Sequence, residues 1–425
     1  MNHPIARFVS AFSFLSVACV AAETTSFLPT DGRLAIVGDS ITEQKLYSKF
    51  IETYLLTAGG RADVHVFQFG WGGETAGGFD SRLKNDLAAF KPNVVTLCYG
   101  MNDGTYRPYE ESIGQRYEVA MRSVLKKLTE DKIHVVVGTP GAVDSKYFSK
   151  PFPGNLNAAI SYNESLAKLG DTGKKLASEF HEGFSDVHAP MMEAMVKAKA
   201  AYGEDYDVCG RDGVHPGANG HLAMAYAFLK GLGCDGNVGE ITMDTAGKTT
   251  TTKGHKVLTS KLGSVEIESE RYPFCFDPDP KSSGSTRSIL PYLPFNQELN
   301  RFTLKVAHLA STKAKVTWGE ESHEFTKAQL EAGINLAAEF TTTPFDKAFA
   351  GVMNAVATKQ AYETMMIKGM ISQFRGFNAE VQKDPELGAI FETLRKKLTS
   401  AQARLDSDTR AKLVPVKHNL TVTPL

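Results

Sequence analysis

Between residue 34 and about residue 230, short unbroken apolar runs alternate with longer stretches whose apolar residues recur every three or four positions. The runs are "LAIVG" (34–38), "VHVFQF" (64–69), "VVTLCYG" (94–100) and "HVVVGTP" (134–140), with a weaker one near 184–187. Continuous Val/Ile/Leu runs mark strands buried on both faces. The stretches between them, for example 43–57, 110–130, 155–176 and 218–231, have helical spacing. Strand and helix in alternation predict a parallel, doubly wound α/β sheet. Ligands of such sheets bind beyond the carboxyl ends of the strands.

After about 235 the texture changes to Thr, Gly and Val with period-two stretches such as Val265-Glu266-Ile267-Glu268. "DPDPKSSGSTRS" (277–288) is a loop by composition. "RFTLKVAHL" (301–309) and "KVTWGEESHEFT" (315–326) read as strands with a turn between. These features predict a small β-rich module. From about 327 helix returns, and Leu387, Ile390, Phe391, Leu394, Leu398, Ala401 and Leu405 mark one apolar helix face that packs on its own domain. The pattern divides the chain into an α/β domain (30–235), a β-rich module (236–345) and a helical C-terminal region (346–425).

A length of 425 residues allows one large or two to three smaller domains. The formal net charge of −1 gives no electrostatic case for nucleic acid or an anionic membrane as the main partner. Residues 1–22 have the form of an export signal: Arg7, an apolar stretch over 8–20, and Val20-Ala21-Ala22 at the cleavage positions. Export predicts a secreted or periplasmic protein, with lipid anchoring at Cys19 as a minor alternative. No other segment has the length and apolarity of a membrane span. Cleavage leaves Cys98, Cys209, Cys234 and Cys275; spacing leaves open whether Cys209 and Cys234 pair, and none of the four has metal-ligand spacing.

The first run ends in "GDSIT", which presents Ser40 where a strand gives way to a helix. A serine hydroxyl is a weak nucleophile until a base takes its proton, and that base is usually a histidine oriented by a carboxylate. "CGRDGVHPGANGH" (209–221) supplies Asp212 and His215 three residues apart in a turn that can fold the carboxylate onto Nδ1. Alone, His215 also fits a capping or surface histidine, and His221 keeps that reading. Acyl transfer needs donors aimed at a developing oxyanion. The glycine-rich loop "QFGWGGETAGGF" (68–79) fits neither a dinucleotide fingerprint nor a P-loop, and "CYGMNDG" (98–104) supplies the Asn102 amide, which alone also suits a turn.

Taken together, in this order and each at a strand end, these blocks resemble the SGNH/GDSL hydrolase family of esterases and lipases. "GDSIT" matches the block with the nucleophile at Ser40. "GWGGET" matches that with the oxyanion glycine at Gly73, "GMND" that with the oxyanion asparagine at Asn102, and "DGVHP" that with the catalytic Asp212 and His215. The resemblance covers roughly residues 33 to 232. The one departure is Gln68-Phe69, where the second block commonly begins with Asn, so the anchoring of that loop differs. The resemblance implies a flavodoxin-like three-layer fold and ester or thioester hydrolysis without a cofactor or metal. It also implies an oxyanion hole from the N–H groups of Ser40 and Gly73 and the Asn102 side chain. Asp39 and Asp103 read as structural, bonding loop backbones beside the site.

Trp71, Tyr106 and Arg107 flank this edge and are candidate substrate contacts, though loop packing accounts for them equally well. Aromatic faces beside a polar catalytic edge suit a sugar. With export, they point to a serine esterase for short-chain acyl esters, O-acetyl groups on carbohydrate in particular. A lipase or thioesterase acting on longer chains is the alternative. An inactive platform that binds glycan or a cell surface is a third reading, from a different class.

Overall fold

The computed structural model describes residues 27–148, 158–245 and 247–425. The expected leader, residues 1–22, lies outside the described residues. Five strands form the first sheet: β1 (Arg33–Gly38), β2 (His65–Gly70), β3 (Val94–Cys98), β4 (His134–Gly138) and β5 (Gly183–Ser185). All pair in parallel, in the order β2-β1-β3-β4-β5. This is the doubly wound sheet that the apolar runs predict.

The period-two alternation of strand side chains builds both faces. Leu34, Ile36, Val94 and Val136 share a buried cluster with α2 (Tyr47–Leu56) and α7 (Ala218–Gly231). Ala35, Val37, Val95, Leu97, Val135 and Val137 point the other way, into a cluster with α3 (Ala76–Leu87) and α4 (Glu111–Glu130). Helices α5 (Ala158–Glu179) and α6 (His188–Tyr202) complete the layers, and α1 (Ser40–Glu43) is a single turn directly after β1.

Beyond the α/β layers lie two further sheets. A four-stranded one has the order β13-β10-β6-β7, from β6 (Asn237–Asp244), β7 (Thr249–Thr251), β10 (Arg301–Ala307) and β13 (Ile334–Asn335). An antiparallel one has the order β12-β11-β14-β9-β8, from β8 (His255–Lys261), β9 (Ser264–Ser269), β11 (Lys313–Trp318), β12 (Glu321–Thr326) and β14 (Val416–Pro424). The turn after β10 therefore carries the chain from one sheet to the other. "KVTWGEESHEFT" is itself a hairpin, bent at Gly319, whose φ is +63°. The last strand, β14, inserts between β9 and β11, so the chain's end belongs to the sheet and follows the helices.

Two long helices intervene, α8 (Asp346–Gly369) and α9 (Pro385–Arg410). Because β2 is an edge strand, its outer backbone groups need partners. Helix α8 supplies them with side chains: Lys359 Nζ donates to the Val66 carbonyl at 2.6 Å, and the Gln68 N–H donates to Glu363 Oε2 at 3.0 Å. Lys359 also sits 3.0 Å from Glu52 on α2 and 2.8 Å from Glu363, all three fully buried. Burial pushes both carboxyls above the ordinary range while Lys359 pulls them back. Helix α9 packs on α8, as its apolar stripe predicts, yet its most buried side chains are Gln402, Asp406 and Thr409, and Ile390 is exposed. The neighbours explain this offset, since Gln402 donates to Glu363 and Asp406 meets His65.

Breaking a buried ion pair by removing one partner leaves an uncompensated charge. Lys359→Ala is therefore expected to lose roughly 3–5 kcal/mol of stability in urea unfolding. Loss below about 1 kcal/mol would show that the cluster does not hold α8 to the sheet.

Candidate active site

Ser40 stands at the carboxyl end of β1, at the first position of α1. Asp39 caps that turn, accepting the Ile41 N–H at 2.9 Å. The turn lies directly on the strand ends because β1 and β2 finish in glycine. A Cβ on Gly38 would stand 2.1 Å from Thr42 Oγ1, and one on Gly70 would stand 2.2 Å from the Glu43 nitrogen.

His215 lies in the turn before α7. Its Nε2 is 2.8 Å from Ser40 Oγ, and its Nδ1 is 2.6 Å from Asp212 Oδ2. Asp212 Oδ1 accepts the N–H groups of Val214 and His215, each at 2.9 Å. Burial pushes the Asp212 carboxyl up, but those N–H groups and the imidazole together hold it below the ordinary carboxylate range. The carboxylate therefore stays ionised, and it fixes the tautomer with hydrogen on Nδ1 and a lone pair on Nε2 facing Ser40. Behind this turn, the Asp144 N–H donates to the Gly213 carbonyl at 2.9 Å, and buried Lys199 holds Asp144 Oδ1 at 3.1 Å.

Gly73 and Asn102 follow β2 and β3. Gly73 has φ of +73°, in the left-handed region, and a Cβ there would meet nothing within 4 Å. Its neighbour Glu74 anchors the turn. Both carboxylate oxygens of Glu74 receive Arg82, at 2.6 and 2.7 Å, and Tyr99 Oη donates to Oε2 at 2.6 Å, all buried. Asn102 Nδ2 donates to the Glu74 carbonyl at 2.9 Å, which ties the two expected donors together. Asp103 accepts N–H groups from Ala76 and Gly100, at 3.0 and 3.1 Å. Burial pushes Asp39 up to about 7 and Asp103 up to about 6, and each also feels Glu74 as a nearby like charge. These bonds fit the structural reading of both residues.

Tyr106, Trp71 and Arg107 divide in environment. Tyr106 Oη donates to Asn102 Oδ1 at 2.8 Å, and its ring stacks on Tyr162 and Phe148. Thr105 and Tyr106 both have φ of +56°, a conformation costly for a β-branched residue and one that persists where surrounding contacts over-determine it. The Trp71 ring has the Arg82 guanidinium and the Lys368 ammonium each 5.0 Å from its centroid. Arg107 turns to its own loop, donating to Thr105 Oγ1 at 3.0 Å and lying 3.9 Å from Glu110.

The residues that sequence reasoning missed are the anchors. The Glu74–Arg82 pair carries a faint signal, an acid after the glycine run and an arginine eight residues on. His221 is fully buried, where the sequence reads as surface or cap. Its Nδ1 accepts the Tyr47 N–H at 3.3 Å, so Nε2 carries the hydrogen and donates to Gln44 Oε1 at 3.1 Å. Gln44 reaches the Pro216 carbonyl, so His221 joins the Ser40 turn to the His215 turn. Cys98, Cys209, Cys234 and Cys275 are all free thiols. Among the described residues, no three His, Cys, Asp or Glu side chains cluster to hold a metal ion, and no helix is long and apolar enough to cross a membrane.

The GDSL-like lipase/acylhydrolase family model matches residues 36–223, which span every residue of this edge. An acetylxylan esterase of Geobacillus stearothermophilus is 24% identical over 177 residues, 40% of this chain and 73% of that protein. A solved structure of a gut microbial diltiazem-metabolizing enzyme covers 95% of this chain and 100% of its own, with a TM-score of 0.72 and 23% identity. Its likeness extends the shared fold through the C-terminal sheets and helices.

Burial holds the His221 imidazole down, to about 3, with Lys49 and His215 adding to the effect. An unfolded histidine titrates near 6.5. Below that pH the unfolded chain takes up a proton that the folded chain refuses, so stability is lost as pH falls from about 6.5 toward 3. Urea midpoints measured from pH 7 to pH 4 are expected to fall more steeply for the wild type than for His221→Asn. Equal slopes would contradict a buried neutral His221.

Proposed function

We propose that the chain is an exported serine esterase, a reading supported by the match of residues 36–223 to the GDSL-like lipase/acylhydrolase family model. Its substrates on this reading are short-chain acyl esters, O-acetyl groups on carbohydrate in particular. The observation that supports it most is the unbroken chain of hydrogen bonds from Ser40 Oγ through the His215 ring to Asp212.

On this reading Ser40 Oγ attacks the acyl carbon while its proton passes to His215 Nε2. Asp212 holds the ring and steadies the imidazolium. The N–H groups of Ser40 and Gly73 and the Nδ2 of Asn102 receive the oxyanion. His215 then returns the proton to the departing alcohol, leaving an acyl-Ser40. Water, deprotonated by the same imidazole, releases the acid and restores Ser40. Tyr106 fixes the outward face of Asn102, since a hydroxyl donating to Oδ1 leaves Nδ2 as the group turned to Glu74 and the substrate. The name of the G. stearothermophilus relative, the aromatic edge at Trp71 and Tyr106, and the leader-like residues 1–22 support acetylated carbohydrate outside the cytoplasm.

Hydrolysis of p-nitrophenyl esters from acetate to laurate by the mature protein tests this. Activity is expected to be greatest on acetate, to fall by roughly a million-fold in Ser40→Ala, and to fall about 10²- to 10³-fold in Asn102→Ala. Preference for laurate would turn the reading toward a lipase or thioesterase. Activity no higher than that of Ser40→Ala on every ester would favour a binding platform.

A further inference from the structure

The turn that carries Gly73 is held on two sides. Glu74 and Arg82 hold it from within the α/β domain, as described above. The second hold comes from the far end of the chain. Glu43, the last residue of α1, spans the gap between Ser40's own turn and the glycine turn: its Oε2 accepts the Gly72 N–H, and its Oε1 receives Lys368 Nζ at 2.5 Å. Lys368 sits in the last turn of α8, where the helix dipole favours a cation. It is separated from Glu43 by 325 residues of sequence. The same ammonium lies 5.0 Å from the centroid of Trp71, the residue before Gly72. One more contact from α8 reaches Ser40's turn by way of Gln68 on β2. Thr364 Oγ1 donates to Gln68 Oε1 at 2.9 Å, and Gln68 Nε2 donates to the Thr42 carbonyl of α1 at 2.6 Å.

We infer that Lys368 is a positioning residue for hydrolysis, through which the C-terminal region sets the oxyanion turn. The inference rests on the reading of Gly73 as an oxyanion donor. With both oxygens engaged, the Glu43 carboxylate has one orientation, and Gly72 has a fixed acceptor. Without Lys368 the carboxylate is free to turn to water, and the peptide between Trp71 and Gly72 loses its anchor, one residue before the peptide that presents the Gly73 N–H. The side chains of Lys368 and Glu43 are 30% and 26% exposed. An ion pair so open to solvent adds little to global stability. Its loss should therefore appear in the chemical step. The appended region thereby acts as part of the catalytic domain's scaffold.

The test uses the full chain and p-nitrophenyl acetate, with Ser40→Ala as the reference. Lys368→Met is expected to lower kcat by about tenfold with KM within about twofold, since small misplacements of reacting groups cost rate more than binding. Lys368→Arg should regain most of that loss, and Glu43→Gln should show the same kcat-selective fall. Hydrogen exchange in the segment 70–75 should quicken in Lys368→Met while the rest of the sheet keeps its protection. An unchanged kcat, with activity still dependent on Ser40, would overturn this inference and leave the esterase reading intact. Loss of activity only in step with a lowered melting temperature would also overturn it, making the pair a plain structural brace. Undiminished activity in Ser40→Ala would overturn the underlying reading and this inference with it.

Discussion

Everything at the site depends on how closely a single helical turn lies on the ends of two strands. Thr42 and Glu43 occupy space that a Cβ on Gly38 or Gly70 would fill. This approach lets Ser40 leave β1 directly at a helix start and keeps Glu43 within reach of Gly72. A larger residue at either glycine would lift α1 off the sheet. Ser40 would then move away from His215, whose own position is set by the turn before α7 and by Gln44 and His221.

The electrostatics beneath the site follow from that compactness. Asp39, Glu74 and Asp103 lie close together and largely out of water, and burial raises the first and last of them. Such a cluster persists only with dedicated partners. Here Arg82, Tyr99 and a set of backbone N–H groups supply them. Asp212 differs from Asp39 and Asp103 because its hydrogen bonds outweigh its burial. Its charge is therefore available to the imidazole, while the buried acids serve the architecture.

Much of this was legible in the chain. The four apolar runs, with their partition of side chains to two faces, correspond to β1 through β4. Ser40, Asp212 and His215 come together as the blocks at the strand ends predict, and Asn102 reaches the glycine turn. What was not legible depends on distant partners. Nothing near Glu43 announces Lys368, and nothing near Gln68 announces Thr364 or Glu363. The departure from Asn at Gln68 signalled a different anchor, but its identity lies about 296 residues away on α8. His221 read as a capping or surface residue because it stands in the first turn of a helix, and the Tyr47 and Gln44 partners that bury it come from a distant part of the sequence. The position of β14 was obscured for a related reason, because a strand added after two long helices pairs with β9 and β11 rather than with its sequence neighbours.

The chemistry of the site requires Ser40 to be a nucleophile activated by His215. Intact-mass and peptide measurements after treatment with a fluorophosphonate test it directly, because the reagent traps an activated serine whatever the natural ester is. One adduct per chain is expected, on the peptide that contains Ser40, absent in Ser40→Ala and formed far more slowly in His215→Ala. A folded protein that stays unlabelled, or one labelled equally well without His215, would contradict it.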